Sequence, residues 1–161
     1  MNFINKLSKK KIFLGLLIFS LLSLIYVVFV EYYLGYKACK LCLYQRIPYI
    51  LVFIFSLIAL FNSNKIFWLY FMLTLFISSI VISFYHVGIE SGFINESSIC
   101  IDPSLESLDK EKLLENLKNT MPSCKVIAFT IFGLSLATIN FLISLGISIL
   151  LLVKINYEKN K

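Results

Sequence analysis

Charge is scarce in this sequence. Asp, Glu, Lys and Arg make up only 15% of its 161 residues, where a soluble domain carries roughly 25%. Apolar residues account for 59%, so a globule of this length lacks the polar surface to face water. Glycine and proline are also few, at six and three, which leaves long stretches unbroken, and helices are the default in lipid. Histidine occurs once, and Cys-x-x-Cys occurs once. That excludes the recognisable paired-cysteine spacing of a four-thiolate zinc site, and no metal is expected. No small-x-small cleavage site follows the first apolar run, which argues for a retained span over a removed signal peptide. The net charge of +6 does not point to nucleic acid, because the lysines gather at the two ends, as membrane anchors do.

What is present is four apolar runs. Ile12–Val30 is close to the roughly 20 residues that cross a bilayer. The second must end before Asn62. Ile47 to Phe61 covers only about 22 Å at 1.5 Å per residue, so that helix is expected to begin among the residues from about 43, with Arg46 at interfacial depth and Pro48 in a first turn, where its missing N–H costs nothing. Ile66–Val87 follows a tight turn, with Trp68, Tyr70 and Tyr85 near its ends as an aromatic belt. The fourth run, Val126–Val153, is long enough to tilt, and Gly133, Ser135, Ala137 and Gly146 offer small surfaces for close helix packing. The expected fold is all-α: one integral-membrane domain, 1–161, forming a four-helix bundle with spans at about 12–30, 43–61, 66–87 and 126–153.

Eight lysines lie at the N-terminus, the Lys65 turn and the C-terminal tail. The positive-inside rule therefore puts both termini in the cytoplasm of a bacterial inner-membrane protein. Loops at about 31–42 and 88–125 then face the periplasm, an oxidising compartment, and they carry all four cysteines. In the longer loop, Asp102-Pro103 reads as a helix start. Leucines from Leu105 to Leu117 recur at helical spacing, either on the membrane surface or as a solvated loop helix.

Cys39-x-x-Cys42 and Cys100…Cys124 admit three readings: structural disulfides, a metal site, or thiol–disulfide exchange. Two intervening residues make a strained ring whose disulfide tends to be labile, which favours exchange. A helix starting near Cys42 would present its N–H groups to that sulfur, and Lys40 and Arg46 add positive charge, all lowering a thiol pKa. Arg46 alone would read as a snorkelling anchor; beside a redox pair it reads as functional. His86, lone at a span end, is by itself an ordinary neutral interfacial residue, and Glu90 a solvated one.

The run Cys39-x-Leu41-Cys42-x-Tyr44-Gln45-Arg46-x-Pro48-Tyr49 resembles the signature of the DsbB family, quinone-linked inner-membrane oxidants of periplasmic thiols. Phe84-Tyr85-His86-Val87-Gly88-Ile89-Glu90, Pro122-Ser123-Cys124, Gly133–Ala137 and Asn140 are similar to family members too. The resemblance implies a relay. A reduced, DsbA-like thioredoxin-fold partner attacks the Cys100–Cys124 disulfide at Cys100, and Cys39–Cys42 reoxidises it through a transient Cys39–Cys124 link. Cys42 then passes electrons to a membrane quinone (ubiquinone or menaquinone), with Arg46 beside the ring, His86 near it, and no bound flavin or metal required. Ala38 and Lys40 depart from the prolines that relatives often carry there.

Two other classes fit parts of this pattern. A vitamin K epoxide reductase-like protein would carry its quinone-facing pair in a late span, whereas this one follows the first. A non-catalytic membrane subunit would use its loop disulfides only as braces.

Overall fold

The computed structural model describes residues 8–62, 66–96, 100, 122–127 and 129–160. Four helices dominate: α1 Lys9–Tyr32, α2 Lys40–Phe61, α3 Phe67–Glu90 and α4 Leu136–Lys159. Each is long and apolar enough to cross a membrane; 24 residues at 1.5 Å each span about 36 Å, beyond the roughly 30 Å of hydrocarbon. Just before α4, a two-residue ladder pairs β1 Thr130–Ile131 with β2 Leu134–Ser135. The protein is thus an all-α membrane bundle, and its surface suits lipid. Large apolar side chains such as Leu22, Phe84 and Ile149 stand half or more exposed along the helices.

Two starts differ from the sequence expectation. The second helix begins at Lys40, because Cys39 caps it: extended at φ −73°, ψ 167°, its sulfur accepts the Cys42 N–H at 3.2 Å. Pro48 therefore sits in the helix interior and not in the first turn, where it withholds one i→i−4 hydrogen bond. The fourth helix begins at Leu136 rather than Val126. The apolar stretch before it is spent on the hairpin, which turns through Phe132 and Gly133, both at positive φ (52° and 81°). Ser135 then caps α4, accepting the Thr138 N–H at 3.2 Å. The amphipathic segment expected after Asp102 lies outside the described residues.

Packing runs α1 on α2, α2 on α3, and α3 on α4. Toward the end that carries the termini, Phe13, Val52, Met72, Phe76 and Leu151 form the larger core. The small residues that allow close approach are mostly serines: Ser20, Ser56, Ser79, Ser83 and Ser144 are fully buried. Several satisfy their hydroxyls on their own helix, as Ser83 Oγ does by donating to the Ser79 carbonyl at 2.7 Å. Of the small residues expected to pack, Ala137 is buried, whereas a side chain at Gly146 would meet open space. At the terminal end Glu158 accepts from both Lys9 (3.1 Å) and Lys154 (3.0 Å), tying α1 to α4.

Candidate functional site

At the opposite end a second, smaller core is built from the cysteines themselves. Cys39, Cys100 and Cys124 are buried together with Leu41 and Ile89, and Cys42 and Tyr85 pack against them. Cys100 and Cys124 are joined as a disulfide, and Cys39 and Cys42 are free thiols with their sulfurs 2.7 Å apart. All four sequence-predicted cysteines therefore converge on one site, although 23 residues separate Cys100 from Cys124 in the chain.

The two sulfurs of the Cys39–Cys42 pair face different neighbours. Cys39 belongs to the buried cluster with the disulfide. Cys42 lines a cavity of about 370 Å³ among α1, α2 and the start of α4, within the range of small-molecule sites. Its walls are apolar except for a few groups, among them Glu31, Gln45, Arg46, Tyr49 and Asn140. The expected helix-terminus effect falls on Cys39, not Cys42, because Cys39 is the cap. Its thiol is drawn down to about 5, chiefly by the hydrogen bond from the Cys42 thiol; burial opposes this, and His86 and the Cys42 N–H assist. The shift favours the thiolate of Cys39, the nucleophilic form.

His86 is buried, and its Nε2 stands 3.6 Å from the Cys39 sulfur. Its Nδ1 is 3.0 Å from the Gln45 side-chain nitrogen. A donating amide makes Nδ1 the acceptor and leaves the proton of the neutral ring on Nε2, facing Cys39. The ring also reaches the Cys124 backbone, so His86 stands between the two cysteine pairs. It is not on the cavity wall. Glu90 lies one turn on from His86, 3.6 Å from Nε2, and is nearly buried, accepting from Ser135 Oγ at 2.5 Å. The solvated role expected for Glu90 is thus corrected: its helix ends where β2 and α4 close over it. Cys39, Cys42 and His86 could together offer three ligand atoms to a metal.

Arg46 points into the cavity from one turn beyond Cys42 and pairs with Glu31 at 2.5 Å. Both side chains are about one-fifth to one-quarter exposed, so the ion pair is partly and not fully buried. Glu31 was not singled out from sequence, and Tyr49 and Asn140 stood there only as parts of the family resemblance, with no role assigned. Glu31 carried a signal: it is the only acid before Glu90, and an acid ending an apolar run calls for a partner. Deeper in the cavity, Tyr49 donates to Asn140 Oδ1 at 2.5 Å.

A membrane-embedded four-helix bundle with a thiolate–thiol pair packed on a disulfide defines a class: membrane proteins that handle disulfides. Residues 9–154 match the family described as disulfide bond formation protein DsbB, and the chain belongs to that family. It is 30% identical to an uncharacterized protein of Rickettsia prowazekii across 99% of this chain and 95% of that protein. It is 28% identical to disulfide bond formation protein B of Cupriavidus pinatubonensis, covering 77% of this chain and 70% of the relative. The corresponding protein of Cupriavidus necator is 29% identical over 76% and 69%. No solved structure matches the chain.

Proposed function

We propose that this protein is a thiol:quinone oxidoreductase of the bacterial inner membrane, with both termini cytoplasmic and the cysteines at the periplasmic face. It takes two electrons from a reduced DsbA-like thioredoxin-fold protein and delivers them to a membrane quinone. The observation that carries this reading is the division of one dithiol between two environments: Cys39 on the disulfide and Cys42 on an apolar cavity wall.

The partner's thiolate attacks Cys100 and frees the Cys124 sulfur. The partner's second thiol then resolves the mixed disulfide, so the partner leaves oxidised and Cys100 and Cys124 become a dithiol. With Cys39–Cys42 oxidised, the Cys124 thiolate attacks Cys39 and releases Cys42. Cys100 then closes on Cys124, which restores the disulfide and leaves Cys39 and Cys42 reduced. His86, 3.6 Å from Cys39, holds or returns a proton at that sulfur as it cycles between bonded and anionic forms. A quinone bound in the cavity supplies the two-electron, two-proton acceptor. The cavity suits its ring and tail, being apolar with Arg46 at its mouth, and Arg46 stabilises negative charge developing beside Cys42.

The test uses purified protein in detergent with a reduced periplasmic thioredoxin-fold protein and a soluble quinone. Quinone absorbance should fall as the partner's disulfide forms, one for one. Absorbance loss no faster than without the protein, with both cysteine pairs oxidised at the start, would sink the proposal.

A further inference from the structure

The cavity has two polar poles, and only the one at Cys42 and Arg46 is used above. Arg46 and Tyr49 both line the wall from α2, and three residues of helix separate them by about 4.5 Å. At the inner pole stands Asn140, on the α4 wall. Its Oδ1 accepts the Tyr49 hydroxyl at 2.5 Å, and the Ser144 and Ser79 hydroxyls lie 3.2 Å and 3.4 Å from it. Ser79 and Ser144 are 3.0 Å apart, so one of them donates to the other and only one to Oδ1, and both are fully buried.

This arrangement fixes which way the amide points. A 2.5 Å contact to a hydroxyl is the length of an O–H···O bond and identifies the oxygen side of the amide. With Oδ1 taken by the Tyr49 hydroxyl and one serine hydroxyl, the other serine donating within the Ser79–Ser144 pair, the Nδ2 hydrogens are what Asn140 has left to offer. Tyr49 has spent its own O–H on Asn140 and has none to give. Three buried hydroxyls converging on one amide in an otherwise apolar wall exceed what helix packing requires, since serines can satisfy themselves on their own turns, as Ser83 does.

We infer that Asn140 is the second anchor of the acceptor site: its Nδ2 donates to the quinone carbonyl oxygen that faces away from Cys42, with Ser79, Ser144 and Tyr49 as positioning residues that hold the amide in that sense. This rests on the proposed quinone reaction and extends it to ring orientation. A para-quinone has oxygens at opposite ends of its ring, so a donor at each pole fixes which carbonyl lies beside Cys42. A molecule with a single carbonyl would engage only one pole.

The test is infrared difference spectroscopy of the full chain in detergent, using a quinone carrying carbon-13 at one or the other carbonyl. Asn140→Leu should shift the stretch of one carbonyl only, to higher frequency, and weaken quinone binding by about two- to tenfold, the range for one hydrogen bond. Arg46→Gln should shift the other carbonyl. Ser144→Ala, which removes one of the hydroxyls holding the amide, should move the same band as Asn140→Leu by a smaller amount. It serves as the second probe if the leucine variant does not fold. Carbonyl bands and affinity unchanged in both Asn140→Leu and Ser144→Ala, with quinone reduction by the parent intact, would overturn the Asn140 assignment alone. Absence of both quinone binding and quinone reduction in the parent protein would remove the two proposals together.

Discussion

The two cysteine pairs lie in one cluster yet are held in opposite ways. Cys39 and Cys42 are placed by a long helix: one caps it, the other sits in its first turn, and their spacing is set by backbone geometry. Cys124 is held by side chains reaching across the loop. Glu96 takes the Lys125 N–H at 2.7 Å and also the Ser123 hydroxyl, gripping the chain on both sides of the cysteine. The first pair is rigid and can be tuned electrostatically. The second is buried in the same cluster, and its Cys124 end is flanked by polar side-chain contacts. The proposed relay between a soluble protein and a lipid-dissolved acceptor would use that asymmetry, one end yielding and the other staying aimed.

The comparison breaks most completely at Cys42. Cys42→Ser is expected to reduce quinone turnover to the uncatalysed rate, measured by absorbance, while exchange between the partner and Cys100–Cys124, followed by trapping of mixed disulfides, continues. Arg46→Gln comes next. It removes a charged donor from the cavity mouth and leaves Glu31 without its cation, and it should lower kcat/KM for quinone about ten- to a hundredfold, the range for a hydrogen bond to a charged group. Partner exchange should not change.

Third is the acidity of the helix-held pair. In the reduced protein the Cys39 thiolate, followed by its ultraviolet absorbance, should titrate at about 5. Cys42→Ala removes the largest cause and should move that midpoint far toward 9.0, with His86→Ala moving it less. The sign for stability follows. Between the depressed value and 9.0 the unfolded chain binds the proton that the folded chain lacks, so reduced protein gains stability as pH rises across that window and loses it as pH falls through about 5. Chemical unfolding at several pH values measures this. The smallest effect is expected at the loop-held pair: Glu96→Gln should let a small thiol reduce Cys100–Cys124 several-fold faster, with turnover at Cys42 little altered.

The sequence carried the helices and the cysteine motif because both are local: long apolar runs and a three-residue spacing. It also carried Arg46, one turn from Cys42. What it could not carry depends on which elements meet. Whether Cys39 or Cys42 would sit at the helix terminus turned on a shift of three residues in where the helix starts. His86 stood out only as a lone histidine until α3 placed it on Cys39, and Glu90 looked solvated until Ser135 closed over it. The start of α4 was hidden because Val126–Ile131 is as apolar as a span, and only the Phe132-Gly133 turn breaks it. Asn140 was visible as part of a family resemblance, but its use depends on Tyr49, 91 positions away.

The bridge from Lys9 to Glu158 has a bearing on traffic. It clips α1 to α4 at the end carrying the termini, whereas toward the cysteines the same two helices form facing walls of the cavity, with Leu22 and Tyr26 on one and Ile139 and Ile143 on the other. The two helices are joined by an ion pair at one end and stand apart across the cavity at the other. A flat acceptor already dissolved in the bilayer would enter sideways between those walls without passing through water. Its supply would then be set by how much of it the membrane holds, and a bulky side chain at Leu22 or Ile143 would jam the door.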